Sequence, residues 1–154
     1  MDKDVYFKKR NEVRIAEPMA EKYLKDNKVR HTKFGLDHLD SKLPIKKIPK
    51  SIRSIPDFIV WDNSDKTWFV EAKGFVGVAK FKTEDMNQYE MWHNKMNIIF
   101  FLYDCRNKKY CKVGFDSIKK LIKEKKPPLR HYPESETNTY HEIKVEWLPE
   151  FLSI

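Results

Sequence analysis

Asp57, Glu71 and Lys73 stand where charge is least expected. They fall inside SIPDFIVWDNSDKTWFVEAKGF, residues 54–75, which otherwise reads as two apolar strands joined by a polar turn. An unpaired charge inside a dry sheet costs several kcal/mol, so the three must serve one another or a ligand. Side chains alternate along a strand with period two. Glu71 and Lys73 therefore share a face with Phe69, while Trp68, Val70 and Ala72 take the other. If the turn closes with residue 61 opposite 67, residue 57 lies opposite 71 and points to the same side. A slip of one residue would separate them. Two carboxylates this close repel, and a cation relieves them. Lys73 is one such cation, and Mg²⁺ or Mn²⁺ is a better one, because a hard divalent ion takes carboxylate, water and phosphate oxygens together. Such an ion makes water a usable nucleophile near neutral pH. Lys73 can orient that water or stabilise charge developing on phosphorus. The chemistry is phosphodiester hydrolysis.

These residues need a frame. Residues 55–61 and 67–73 are the two strands, and KVRHTKF at 28–34 alternates as a strand before them. Residues 5–27 read as a helix with Ile15, Met19, Tyr23 and Leu24 at helical spacing. Pro18 must then lie in a first turn or kink the helix, since it has no N–H to give. Residues 37–54, with their prolines and lysines, read as a loop. Residues 82–95 form a second helix with an apolar stripe of Met86, Tyr89, Trp92 and Met96, and NIIFFLY at 97–103 is a buried strand. KYCKVGF pairs back on it as a hairpin, a short basic helix spans 116–125, prolines 127, 128 and 133 break the chain, and HEIKVEW is a late strand. The order is helix, three strands, helix, strand, then additions. The unit from 67 to 103 is a right-handed crossover, which makes its strands parallel. The first three strands form an antiparallel meander. The fold class is α/β, a mixed central sheet flanked by helices. A length of 154 residues fits one domain, with a core over about 11–103 and basic additions over 104–154.

Composition narrows the partners. Charged residues make up 35%, and no apolar run reaches the roughly 20 residues a spanning helix needs, so a membrane protein is excluded. The N-terminus carries no apolar stretch of the secretory kind, and the two cysteines, Cys105 and Cys111, are too few for a disulfide framework; both point to a cytoplasmic protein. Net charge is +8, unevenly spread. Residues 42–53 hold five positive charges and no acid, residues 106–112 hold four and no acid, and residues 119–131 hold six against Glu124. Those segments carry +14 and leave the rest at −6. Such segregation suits a polyanion such as DNA, with Lys46, Lys47, Lys50 and Arg53 as backbone contacts.

Pro56–Asp57 followed by Glu71–Ala72–Lys73 resembles the signature of the PD-(D/E)XK nucleases, the restriction-endonuclease-like superfamily that includes resolvase-like and RecB-like enzymes. The resemblance covers roughly residues 11–103, and the element order matches that superfamily's helix-strand-strand-strand-helix-strand core. It implies a metal-dependent DNA endonuclease in which Asp57, Glu71 and the Ala72 carbonyl hold Mg²⁺ or Mn²⁺ and Lys73 assists the nucleophile. Members often add a glutamate from the first helix, in a pattern like GExxAxxYL. AEPMAEKYL is similar and makes Glu17 the choice, with Glu21 its rival, although Ala16 stands for glycine and Pro18 intrudes. Some branches place a glutamine of the second helix near DNA, and Gln88 in NQYEMWHNK matches. The other functions compatible with these residues are a binding protein of the same fold without turnover, a module acting on RNA, and a nuclease subunit of a larger recombination or transposition assembly. Small size fits a phage or mobile-element gene, and cutting both strands of a duplex favours a homodimer.

Overall fold

The computed structural model describes residues 14–36, 42 and 44–154. Helix α1, Ala16–Asp26, leads into strand β1, Arg30–Lys33. A 3₁₀ turn at Ile45–Lys47 and a short helix α2, Lys50–Arg53, precede β2, Phe58–Trp61, and β3, Thr67–Phe75. Then come β4, Ala79–Lys82; α3, Thr83–His93; β5, Ile98–Asp104; β6, Lys109–Gly114; and α4, Phe115–Lys125. The chain closes with β7, Leu129–Tyr132; β8, Ser135–Ile143; a 3₁₀ turn at Val145–Trp147; and β9, Leu152–Ser153.

Six strands form a mixed sheet in the order β1-β2-β3-β5-β6-β9. The expected meander is present, with β1, β2 and β3 antiparallel in turn. So is the expected crossover: β3 and β5 are parallel, joined through α3. The hairpin register follows from its turn. Asp62 Oδ1 accepts from the backbone N–H groups of Ser64 and Lys66 at 2.9 and 3.0 Å, and Asp62 N donates to Lys66 O at 3.0 Å. Asp65 supplies the left-handed residue at φ 61°, a conformation Asp tolerates because its short polar side chain bonds locally. Trp61 consequently faces Thr67, and Phe58 faces Val70.

The sheet buries both faces. On one, Phe58, Val60, Val70, Phe101 and Tyr103 meet Ala16, Ala20 and Leu24 of α1. On the other, Phe69, Ile98, Phe100 and Leu102 meet Met86 and Tyr89 of α3 and Phe115 and Ile118 of α4. Some sequence expectations need correction. The first helix is described from Ala16 only, so the part expected at 5–13 lies outside the described residues. Of the expected Ile15, Met19, Tyr23 and Leu24, Leu24 is buried, Met19 and Tyr23 are partly buried against the same cluster, and Ile15 is 44% exposed; the buried stripe is completed by Ala16 and Ala20. Alanines let the helix axis approach the sheet closely, where larger side chains would hold it off. Pro18 does sit in the first turn. The region read as a loop at 37–54 contains α2 and the 3₁₀ turn, while residues 37–41 and 43 lie outside the described part.

The largest difference is a second sheet of three strands, order β4-β8-β7. HEIKVEW supplies only the end of β8 and then a 3₁₀ turn. The small sheet begins where the chain reverses after β3 at Gly77, whose φ of +85° suits glycine. Ala79, Phe81 and Ile143 pack inward from it on the α3 side. Among the described residues no helix is long and apolar enough to cross a membrane.

Candidate active site

The hairpin register extends one residue past β2 and brings Asp57 beside β3. Asp57 precedes the first residue of β2, and its carboxylate takes the place of the next backbone partner. Asp57 Oδ2 accepts from Ala72 N at 2.8 Å. In return Asp57 N donates to Glu71 Oε2 at 3.2 Å. The two acids are thus locked side by side by backbone donors. In a strand, the N–H and C=O of one residue point the same way, so the Ala72 carbonyl also points to the flank that Asp57 occupies. Gly35 closes this corner. Its N–H and that of Phe34 reach the Asp57 carbonyl at 3.3 and 2.8 Å. A β-carbon on Gly35 would stand 3.5 Å from Asp57 Oδ1, taking space beside that oxygen.

Glu71 has a second donor from across the layer. Tyr89 Oη of α3 donates to Glu71 Oε1 at 2.7 Å. Burial pushes the Glu71 carboxyl up to about 7, against the pull of the Lys73 charge and of the Tyr89 and Asp57 hydrogen bonds. Burial and the Glu71 charge raise the Tyr89 phenol well above its ordinary value, so it stays a donor. Tyr89 reads from sequence as core, and it is only 5% exposed. Its role in the site has one sequence signal, that a tyrosine on an apolar stripe must place its hydroxyl. Tyr89→Phe is expected to raise the Glu71 midpoint further, since it removes a bond to the charged form. A carboxyl titration by ¹³C NMR measures this; an unmoved midpoint would count against the bond.

Lys73 shares the Glu71 face, with its Nζ 5.2 Å from the Tyr89 ring centroid and 5.6 Å from that of Phe81. The remaining candidates lie around this core. Glu17 is half-buried in the first turn of α1. Helix α1 runs antiparallel to β1: Val29 N bonds Leu24 O at 2.8 Å, and Lys33 pairs with Glu21 at 3.4 Å. Glu17 lies one turn before Glu21 on the same side, about 5.4 Å further toward the Gly35–Asp57 end. Glu21 is engaged by Lys25 at 3.0 Å as well as Lys33, and its bond to Lys25 holds its carboxyl below the ordinary value.

Lys46, Lys47 and Arg53 are exposed. Lys50 is instead a tether. It pairs with Asp85 at 3.2 Å and Glu84 at 3.9 Å, while Trp92 Nε1 donates to Ser51 O at 3.0 Å, and together these hold α2 against α3. Gln88 lies between Asp85 and Trp92 along the helix, and its Oε1 is buried without a hydrogen-bond partner among the described residues. His93 serves structure: Ile98 N donates to its Nδ1 at 3.0 Å, and its Nε2 lies 3.1 Å from Asp116.

Among the described residues no three His, Cys, Asp or Glu side chains cluster as a metal cage. What the corner offers is two carboxylates and a strand carbonyl, all hard oxygen donors. That set fits Mg²⁺, which takes few protein ligands and keeps water, and does not resemble a zinc site.

No family model and no curated protein matches the sequence. A solved structure of D212, a nuclease from a fusselovirus, matches in fold at a TM-score of 0.50 and 9% identity, covering 94% of this chain and 86% of that one. The likeness places the chain among α/β proteins with a nuclease-like fold.

Proposed function

We propose that the protein is a metal-dependent DNA endonuclease of the PD-(D/E)XK type. The observation that carries this reading is the paired hydrogen bonding of Asp57 with Glu71 and Ala72, which holds two carboxylates on the face that Lys73 shares. The nuclease fold of D212 supports it. Asp57, Glu71 and the Ala72 carbonyl would hold Mg²⁺ or Mn²⁺; Glu17 of α1 forms no three-carboxylate cluster with them here and would have to move to join the metal shell. When bound, the ion would supply Lewis acidity toward a phosphate oxygen and ease ionisation of water. Tyr89 and Asp57 N fix the Glu71 carboxylate, so little reorganisation is needed when a cation arrives. Lys73 places positive charge beside the phosphate as negative charge grows on it. The test is a cleavage panel of linear, single-stranded, flapped and junction DNA with Mg²⁺, Mn²⁺ or EDTA. Metal-dependent products are expected; binding without products on any substrate would favour the binding-protein reading instead.

Basic residues near α2 would hold the DNA backbone. Replacing Lys46, Lys47 and Arg53 with alanine is expected to flatten the salt dependence of duplex binding, by about 0.9 in log–log slope for each phosphate no longer neutralised. Lys50→Ala should act on the melting temperature instead, because Lys50 joins α2 to α3. A slope unchanged in the triple variant would remove this segment from the DNA path.

A further inference from the structure

The Lys73 ammonium is poised against two aromatic rings, and among the described residues it makes no ion pair with Glu71 or any other acid. This needs explaining, because Lys73 and Glu71 are alternate residues on one face. A flexible lysine beside a carboxylate ordinarily closes on it. Closure would put the ammonium where a cation bound to Glu71 must go, and would spend its protons on that carboxylate.

We infer that Phe81 and Tyr89 form an aromatic clamp that holds Lys73 back from Glu71, so that the three-stranded sheet is part of the active site. Phe81 comes from β4 and is 0% exposed. Lys73 and Phe81 lie four residues either side of Gly77, and the reversal there folds one over the other. Tyr89 comes from α3 and does two jobs, with its hydroxyl on Glu71 and its ring toward Lys73. The negative ring faces attract the ammonium without competing for its protons. β4 is held in place by pairing with β8, where Phe81 lies opposite His141 and Ala79 opposite Ile143. Phe81 and Tyr89 are therefore positioning residues, acting through Lys73. Their effect on turnover rests on the nuclease reading; their hold on Lys73 does not.

The test separates the two. In lysine-labelled protein, the ε-methylene protons of Lys73, assigned by their loss in Lys73→Ala, are expected upfield of the other lysines from ring currents. Phe81→Leu should return them toward the rest and lower kcat about tenfold, the scale of a desolvated cation–π contact, with KM and Mn²⁺ affinity held. Phe81→Tyr keeps the ring and should keep the Lys73 signal upfield, whatever its buried hydroxyl costs in melting temperature. Ile143→Val trims the same core and should move neither. Tyr89→Phe keeps its ring and should leave the Lys73 signal upfield. A wild-type Lys73 signal among the ordinary lysines overturns the clamp, as does a Phe81→Leu variant in which neither signal nor kcat moves. An upfield signal in a wild type that cuts no DNA supports the clamp and sinks the nuclease reading.

Discussion

With Asp57 replaced by asparagine, cleavage in Mg²⁺ or Mn²⁺ is expected to fall to background while the protein stays folded. The asparagine side-chain oxygen can still accept the Ala72 N–H that now bonds Asp57 Oδ2 at 2.8 Å, so the corner keeps its geometry. What disappears is the charge that a divalent ion needs, and with it metal affinity. Lys73→Ala should behave differently: metal binding survives, and the cleavage rate drops by about 10²–10³-fold if the ammonium stabilises transition-state charge. The contrary hypothesis, a structural ion cluster, makes the opposite forecast. Deleting one partner would then cost about 3–5 kcal/mol by orphaning buried charge, and DNA binding would fall only as the fold falls. Thermal melts with and without Mn²⁺, run beside the cleavage assay, distinguish them. An Asp57→Asn protein that still cuts would end the assignment.

Glu71→Gln is expected to melt higher than the wild type at pH 8 in the absence of metal. The sign follows from the raised carboxyl. Unfolded, Glu71 ionises near its ordinary value of 4.5; folded, it does so at about 7. Between those values the native state binds the extra proton, so wild-type stability falls as pH rises through the window and stays low above it. The full effect is on the order of 3 kcal/mol, less whatever water relaxes around this partly exposed side chain. Glutamine is well suited to report it. Its oxygen can accept from Asp57 N, and its amide can donate to Tyr89 Oη, which turns to accept. The advantage should vanish below about pH 4.5, and Mn²⁺ should reverse it by stabilising only the wild type. Melts of both proteins from pH 4 to 8.5 measure this. Parallel curves would mean that Glu71 is not strained.

The parts of this architecture that were legible in the sequence are those fixed by local rules. Alternation in β2 and β3, together with a turn rich in Asp, Asn and Ser, was enough to place Asp57 opposite Glu71. The apolar run of β5 and the helix before it implied the parallel crossover. The first helix was legible at Leu24 and in part at Met19 and Tyr23, but large apolar residues drew attention from Ala16 and Ala20, which close approach to a sheet selects. The small sheet was hidden for another reason. β8 reads SETNTYHEI, polar through most of its length, and it pairs with β4 more than 50 residues earlier in the chain. No local pattern announces such a pairing. Phe81 was missed with it, because what it does depends on where that sheet lies, and the Tyr89 hydroxyl was missed because its partner, Glu71, lies on another element.

The Asp62 turn has a consequence for how this chain can change. It sits at the far end of the hairpin from Asp57 and is held by the Asp62 side chain and the left-handed Asp65. Yet it counts the strands into step. One codon inserted between residues 62 and 66 would spare every acid and lysine and both strand sequences. If the added residue were taken up as a slip of β2 against β3, Asp57 would be turned away from Glu71 and Lys73, while β3 keeps its own register through its parallel pairing with β5. A hairpin slipped in that way would still carry its signature in the gene and have no site. Among relatives of this chain, the length of that turn should therefore be guarded together with the aspartate that caps it.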